Sequence, residues 1–210
     1  LVLAMQLPKH GMYLLRWRAL LRGQKIDPPL SRLLVAYFAG LGAGVMTPGR
    51  VGETIRVAYL GNTRILPVLG SLVVERLMDL GFILAVSLSG ALVFQKYFDA
   101  SAPWLWVVLG GGFAVTVMTT AFIVRSLPYM ARWLGSRWER IRHSLREIQW
   151  SPRLVVWALG ATALGWILQF SQGIILAVDL GVNIPAGELV FILAFTSAVS
   201  VIPVTVAGLG

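Results

Sequence analysis

The residues best suited to chemistry in this sequence are charged side chains beside a Pro-Gly corner. Residues 45–60 read VMTPGRVGETIRVAYL and place Arg50, Glu53 and Arg56 at three-residue spacing after an apolar run. Residues three apart share one flank of a helix, so the three side chains are expected to lie together. A guanidinium group forks onto phosphate oxygens, and the two arginines therefore indicate a site for a phosphate-bearing anion.

The backbone of this segment favours the same interpretation. Thr47 and Pro48 are typical of an N-cap and a first helical turn, which predicts a helix that runs to about Leu60. A helix N-terminus offers free N–H groups and a positive dipole end to an anion, and glycines let a ligand approach the backbone. The candidate residues for binding a lipid head group are Pro48, Gly49, Arg50, Gly52, Glu53 and Arg56. The alternative is an arginine–glutamate pair that anchors a helix end at the membrane interface by snorkelling.

A second charged set lies in VVERLMDL, residues 73–80. Glu75 and Asp79 are four residues apart and face the same way, and Arg76 is three residues from Asp79. Charged side chains inside a membrane are rare, pair with one another and mark transport pathways, so these three residues are a candidate intramembrane charge cluster. The alternatives are a structural ion pair between helices and a carboxylate dyad for hydrolysis. No nucleophile or metal-binding set accompanies such a dyad.

Three polar residues, Gln169, Ser171 and Gln172, lie in the middle of a predicted span. They can bond across helices or face a cavity, and we favour bonds between helices.

The composition is that of a membrane protein. Hydrophobic residues make up 57% of the chain and charged residues 13%, with a mean hydropathy of +0.78, far outside the range of soluble domains. The absence of cysteine excludes a thiolate metal site, and His10 and His143 alone do not make a histidine centre, so we expect no metal and no cofactor. In a membrane protein, a basic excess such as the net charge of +9 usually marks cytoplasmic loops that contact anionic lipid. The sequence has no basic stripe interleaved with aromatic residues, so we expect no binding of nucleic acid.

The apolar pattern predicts helices throughout. Three uncharged runs each exceed the ~20 residues that a helix needs to cross a bilayer. These runs are residues 100–124, 154–178 and 189–210. Residues 65–94 form a further long helix, whereas residues 33–49 are short for a span. Residues 11–25 alternate aromatic residues and leucine with arginine, which fits either an interfacial amphipathic helix or an extension of a membrane helix.

The distribution of basic residues decides between two topologies. If residues 33–49 crossed the membrane, the arginine-rich segment 125–153 would lie outside, against the positive-inside rule. If residues 33–60 form a re-entrant hairpin instead, all of the 18 Lys and Arg residues except Arg76 and Lys96 lie on the cytoplasmic side. Non-helical backbone at membrane depth survives only where protein or water covers it, so the hairpin should line a cavity.

A motif in the first half of the chain resembles the C-terminal segment. VMTPGRVGE in the first half resembles VIPVTVAGLG at residues 201–210, since each has an apolar run, a proline and a Gly-rich corner. If the arginine-rich segment separates two such units, they enter from opposite faces, as inverted repeats of transporters do. Both termini lie in apolar stretches, so we expect the chain to be a fragment of a longer protein.

Nearly the whole chain resembles the lysylphosphatidylglycerol synthase transmembrane-region family, the flippase-domain family of integral membrane proteins. The segments that carry the resemblance are RWRALL at residues 16–21, TPGRVGETIRVAYL at residues 47–60, VVERLMDL at residues 73–80 and PVTVAGLG at residues 203–210. In that family the closing motif usually continues to a glutamate that this chain does not reach, so no acidic partner is assigned in the second half.

The resemblance implies a multi-pass protein of the inner cell membrane that moves lipid between leaflets. Nothing in the chain resembles the soluble transferase domain that makes aminoacylated phosphatidylglycerol in bifunctional members, so we expect no enzyme. The expected function is flippase-like translocation of a phospholipid or another anionic or aminoacylated lipid. The alternative is a membrane-embedded transferase, or an accessory protein in the synthesis of lipid-linked glycans or aminoacyl lipids.

The combined expectation is a single transmembrane module over residues 1–210. Its fold is an all-α polytopic helical bundle with at least one re-entrant hairpin. An arrangement as inverted repeats is left as an alternative. The expected partners are membrane lipids, mainly anionic, and no nucleic acid. A homo-oligomer, and a soluble partner that binds the arginine-rich segment, are further alternatives.

Overall fold

A computed structural model describes residues 2–61, 65–94 and 151–200, except for the side chains of residues 48–51, 66 and 199–200. The helices are α1 (Val2–Gly23), α2 (Leu30–Met46), a 3-10 helix (Pro48–Ile55), α3 (Arg56–Leu60), α4 (Ile65–Val93), α5 (Pro152–Asp179) and α6 (Ala186–Ser200). Every regular element in the described ranges is a helix, which confirms the all-α prediction. The predicted span at residues 100–124, most of the arginine-rich segment and the closing motif lie outside these ranges.

Two of the helices are long and apolar enough to cross a bilayer. They are Pro67–Val93, within α4, and Pro152–Asp179, which is α5. At ~1.5 Å per residue each helix extends about 40 Å, more than the ~30 Å hydrocarbon core of a membrane. Both segments were predicted from their apolar runs, and they support the assignment to membrane proteins.

The N-terminal helix α1 runs without a break through most of residues 11–25. Arg16 and Trp17 are both buried, and the Trp17 indole Nε1 donates a hydrogen bond to the Ser71 hydroxyl at 3.1 Å. An interfacial amphipathic helix would keep its arginine face in the head-group layer. The structure therefore favours the other alternative, a helix that packs against its neighbours along this length.

Three basic residues that the charge argument placed in cytoplasmic flanks lie buried between helices instead. They are Lys9, Arg16 and Arg56. A buried cation pairs with protein groups, so it does not indicate on which side of the membrane the neighbouring segment lies. These three residues are therefore removed from the count of cytoplasmic basic residues. The remaining basic residues keep the same asymmetry, and the predicted topology is unchanged.

The breaks between helices have local causes. Pro28 and Pro29 separate α1 from α2, because proline lacks a backbone N–H and restricts the residue before it. Helix α3 ends at Gly61, whose φ of 60° lies in the left-handed region that favours glycine. Both breaks fall where the sequence predicted them.

The chain after α2 folds back against that helix. The Thr47 hydroxyl accepts a hydrogen bond from the Gly52 N–H at 2.7 Å and donates one to the Ala43 carbonyl at 2.9 Å. Pro48 begins the 3-10 helix, as predicted, and this helix and α3 pack against α2. A side chain at Gly52 would overlap the Ala43 backbone, so glycine is required there. The folded-back shape agrees with the hairpin prediction, and its re-entrant position in a bilayer stays a prediction.

Two long helix pairs complete the arrangement. Helix α1 packs along α5, and α4 packs along α6. Small residues allow the close approach, because the Tyr13 ring lies against Gly165 and the Phe191 ring lies against Gly90. The core that joins α1, α2 and α4 contains Trp17, Leu21, Leu33, Tyr37, Leu60, Val68 and Leu72.

Candidate functional site

A cavity of about 560 Å³ lies among α1, α2, the 3-10 helix, α3, α4, α5 and α6. Its charged lining consists of Lys9, Arg16, Glu53, Arg56, Glu75, Arg76 and Asp79. The cavity therefore joins the charged residues of the Pro-Gly segment to those of the second charged set. Ligand pockets commonly have volumes of about 300–1,000 Å³, so the space suits a small polar group.

Arg16 connects three helices at the centre of this site. Its Nη1 and Nη2 contact the Asp79 carboxylate oxygens at 2.7 and 3.1 Å, and its Nε contacts Glu75 Oε1 at 3.3 Å. Nη1 also donates to the Thr162 hydroxyl at 2.8 Å, which links α1 to α5. Its side chain is only 3% exposed, so Arg16 holds two carboxylates in a water-poor environment.

Arg56 makes the corresponding bridge on the other side of Glu75. Its Nη1 donates to Glu75 Oε2 at 3.0 Å, and its Nη2 donates to Glu53 Oε2 at 3.3 Å. The guanidinium lies over the rings of Trp17 and Tyr37, with 5.1 and 4.8 Å between its carbon and the ring centroids. Cation–π contact fixes the plane of the guanidinium as well as stabilising its charge. Glu75 is thus shared by arginines from α1 and α3.

Glycines of α2 make room for the Glu53–Arg56 pair. A side chain at Gly40 would overlap Arg56, and a Cβ at Gly44 would lie 2.7 Å from Glu53 Cγ. Nothing lies within 4 Å of the corresponding point at Gly42, which faces away. The two glycines four residues apart form one stripe of the helix, and the charged pair packs directly on its backbone.

The remaining charged residues extend the network. Arg76 contacts the Glu53 carboxylate rather than Asp79, and its side chain is 41% exposed. Asp79 instead accepts a hydrogen bond from the Trp166 indole Nε1 at 3.3 Å, in addition to its contacts with Arg16. All three carboxylates are therefore in contact with arginines, and Asp79 also joins α4 to α5.

At the other end of the cavity the lining is polar rather than acidic. Lys9 Nζ donates to Gln169 Oε1 at 2.8 Å, and His10 Nδ1 lies 3.0 Å from the Tyr37 hydroxyl. Among the described lining residues, four carry a positive charge and three are carboxylates. With His10 neutral, the excess is one positive charge. The described side chains contain no group of three His, Asp or Glu residues placed to hold a metal ion.

Most of the residues predicted from the two charged motifs meet in this cavity. Glu53 and Arg56 pair with each other as their spacing indicated, and Glu75 and Asp79 face the same way and share Arg16. Gly52 contributes through its backbone at the hairpin. The side chains of Pro48, Gly49 and Arg50 lie outside the described part of the molecule, so their predicted role stays a prediction.

Several residues of the site were not predicted as such. They are Lys9, Arg16, Trp17, Tyr37, Thr162 and Trp166. One signal was present, because Lys9, Tyr13 and Arg16 lie at i, i+4 and i+7 and therefore share one face of α1. Gln169 and Gln172 do bond across helices, as we favoured, and Gln169 also lines the cavity.

Comparison with known proteins identifies one family. The family model described as the lysylphosphatidylglycerol synthase TM region matches residues 1–210, the whole chain. Neither the curated proteins nor the solved structures contain a significant match.

Proposed function

The chain belongs to the lysylphosphatidylglycerol synthase TM region family, and from this membership and the cavity we propose that it translocates lipid between leaflets. The cavity receives the head group, while the acyl chains stay in the bilayer. The substrate class is a phosphate-bearing lipid, anionic or aminoacylated. The protein is proposed to be a multi-pass component of the inner cell membrane, with the Pro-Gly hairpin re-entrant from the cytoplasmic side.

The observation that carries this proposal is the buried, charged cavity with one excess positive charge. Desolvating ions inside a membrane protein is unfavourable, and such groups are retained mainly where they serve a pathway. A phosphate group would neutralise the excess charge, and guanidinium groups bind its oxygens through paired hydrogen bonds. Arg16 and Arg56 reach this cavity from different helices, so a head group between them would contact both.

Binding is proposed to proceed by exchange of partners. Each of these arginines now contacts carboxylates, and an entering phosphate would compete with Glu75 or Asp79 for the same N–H groups. The displaced carboxylate could then accept a hydrogen bond from an ammonium or hydroxyl group of the head group. Exchange of one charged partner for another avoids a stage at which a buried ion has no partner.

We propose a transporter rather than a membrane-embedded transferase because of the contacts that the carboxylates make. A general base needs a carboxylate that is free to accept a proton from the substrate. Glu53, Glu75 and Asp79 are instead each in contact with an arginine, which occupies carboxylate oxygens that would have to accept that proton.

Translocation by purified protein in vesicles tests the proposal. Fluorescent phosphatidylglycerol and phosphatidylcholine would be followed by the accessibility of their head groups to a quencher in the outer solution. We expect Arg56→Gln to lower phosphatidylglycerol translocation at least ten-fold, and Arg22→Gln, outside the cavity, to leave it unchanged.

Two further variants address the Pro-Gly segment itself. Arg50→Ala and Glu53→Ala should each lower the same rate. If both retain the wild-type rate, this segment does not take part in the mechanism. Wild-type protein that gives no faster exchange than empty vesicles, for every lipid tested, would remove the proposed function as a whole.

A further inference from the structure

The interface between α1 and α5 carries a row of polar contacts. The row leads away from Arg16, Glu75 and Asp79, which we call the charged cluster. Gln6 Nε2 donates to Gln172 Oε1 at 3.3 Å, and Lys9 Nζ donates to Gln169 Oε1 at 2.8 Å. Arg16 contacts Thr162 at the cavity end of the same row. The partner number on α5 falls as the number on α1 rises, as antiparallel helices require. We call this interface the α1–α5 seam.

The length of the seam corresponds to half a membrane. From Arg16 to Gln6 the helix advances about 15 Å at ~1.5 Å per residue, whereas the hydrocarbon core is ~30 Å thick. A lipid head group that leaves the charged cluster must cross a comparable depth before it reaches the opposite interface. The seam provides polar side chains over that depth, and both Lys9 and Gln169 also line the cavity.

One amide in the seam has spare hydrogen-bonding capacity. Gln172 is 4% exposed, and its Nε2 has no hydrogen-bond partner among the described residues. A buried donor without a partner is destabilising, so a residue that served only to fix the register of the two helices would be expected to have its donor paired. A transient ligand with acceptor oxygens would satisfy this donor.

Arg16 is bonded unequally to the two helices that it joins to α1. Arg16 joins α1 to α4 through two carboxylates, but it reaches α5 only through the Thr162 hydroxyl. Individual hydrogen bonds between membrane helices contribute little stability, so the two contacts of Gln172 and Gln169 add little resistance to opening. Between these polar contacts, the Tyr13 ring packs directly against Gly165 of α5.

We propose that the α1–α5 seam opens to form the path along which the head group moves between the charged cavity and the opposite leaflet. This inference rests on the proposed function. Lys9, Gln169 and Gln172 act as positioning residues for the phosphate of the lipid, and Gln6 separates from Gln172 as the seam opens. Helix α1 stays attached to α4 through Arg16 while α5 moves away.

Cysteine chemistry tests the inference cleanly, because the chain contains no cysteine of its own. The Gln6→Cys/Gln172→Cys variant would be joined by a cleavable bis-thiosulfonate reagent in vesicles. We expect cross-linking to lower phosphatidylglycerol translocation at least ten-fold relative to the same variant before cross-linking, and reduction of the link to restore that variant's own rate. The matched control is Ala91→Cys/Phe191→Cys, a pair that packs between α4 and α6, whose cross-linking should not change the rate.

A second measurement does not depend on transport. Single Gln172→Cys and Ala91→Cys variants, both at buried positions, would be treated with a small anionic thiosulfonate. Opening of the seam predicts that the cysteine at position 172 reacts at least ten-fold faster. Equal rates at the two positions, or full translocation by the α1–α5 cross-linked protein, would overturn the inference. Loss of translocation in all proteins, with fast reaction at position 172, would instead count against the proposed function while leaving the opening of the seam supported.

Discussion

Helix α1 carries two sets of arginine–aspartate contacts that look alike in geometry and differ in surroundings. Arg16 contacts Asp79 at 2.7 Å inside the cavity, and Arg22 contacts Asp27 at 3.1 Å at the end of the helix. The side chain of Arg16 is 3% exposed, whereas those of Arg22 and Asp27 are 53% and 54% exposed. The comparison shows that contact distance alone does not decide what an ion pair contributes.

The two sets of contacts differ in whether water can hydrate a charged group after its partner is lost. Around Arg22 and Arg18, solvent screens the charges and hydrates either partner when the contact breaks, so such pairs contribute little. Around Arg16, removal of the guanidinium would leave Asp79 without an arginine and Glu75 with Arg56 alone, in a medium of low dielectric constant. The buried set also joins α1, α4 and α5, while the exposed set joins α1 only to the loop that follows it.

The largest effect is expected from Arg16→Gln. The variant should lose about 3–5 kcal/mol of stability, because Asp79 loses its arginine partner and Glu75 keeps only Arg56. It should also lose phosphatidylglycerol translocation. Thermal unfolding in detergent and the vesicle assay measure the two effects, with Arg22→Gln as the matched control on the same helix. Similar losses in both variants would show that burial does not distinguish the two sets.

A smaller effect should follow from Gly40→Ala. The added methyl group would overlap the Arg56 side chain, so the Glu53–Arg56 pair must shift from the α2 backbone, at a cost of about 1–3 kcal/mol. Gly42→Ala is the matched control, because nothing lies within 4 Å of the point that its methyl group would occupy. Thermal unfolding compares the two proteins. A midpoint for Gly40→Ala at or above that of Gly42→Ala would contradict the packing argument.

Arg56→Lys tests geometry rather than charge. Lysine keeps the positive charge but lacks the planar group that contacts Glu53 and Glu75 and stacks between Trp17 and Tyr37. We expect translocation to fall several-fold, with a smaller loss of stability than in Arg16→Gln. The matching Arg22→Lys variant should be indistinguishable from wild type. If Arg56→Lys also behaves as wild type, only the charge at this position matters.

The parts of the site that depend on one helix were predictable, and those that depend on distant packing were not. The i, i+3 spacing of Glu53 and Arg56 and the i, i+4 spacing of Glu75 and Asp79 gave their common faces. Spacing also allowed Arg76 to pair with Asp79. In the structure Asp79 pairs instead with Arg16, which lies 63 positions from it in the sequence.

The same limit applies to the fold. The positions of α4 and α5 followed from apolar runs, and the ends of α1 and α3 followed from proline and glycine. The pairing of α1 with α5 has no local signal, because its contacts join residues that lie 146 to 166 positions apart. The polar face of α1 was visible as a stripe, but a stripe does not tell which helix it will meet.

The smallest effect is expected from Asp27→Asn, which removes the carboxylate of the exposed arginine–aspartate contact. The hydrogen bond from Arg22 keeps the pKa of the Asp27 carboxyl below its ordinary value, and Arg18 adds to this. A carboxyl whose pKa is lowered by folding contributes stability that is present above its unfolded pKa, ~3.9 for Asp, and is lost as the pH falls through the folded pKa. Between pH 6 and 8 this contribution is therefore constant, and it is small because water screens the exposed pair. Translocation and thermal unfolding in that range should differ little between Asp27→Asn and wild type, and the difference should not change with pH.

The pKa itself offers a direct test of the cause. Carbon-13 NMR of labelled aspartate would follow the Asp27 resonance during titration, and Arg22→Gln should raise its pKa toward the ordinary value. An unchanged titration in Arg22→Gln would mean that the contact is not maintained in solution. Because Asp27 is exposed in the loop that follows the helix that buries Arg16, a shift in pKa without any change in transport would show an arginine–aspartate contact that forms and yet has no part in function. That outcome would confine the functional charges of α1 to the face that lines the cavity.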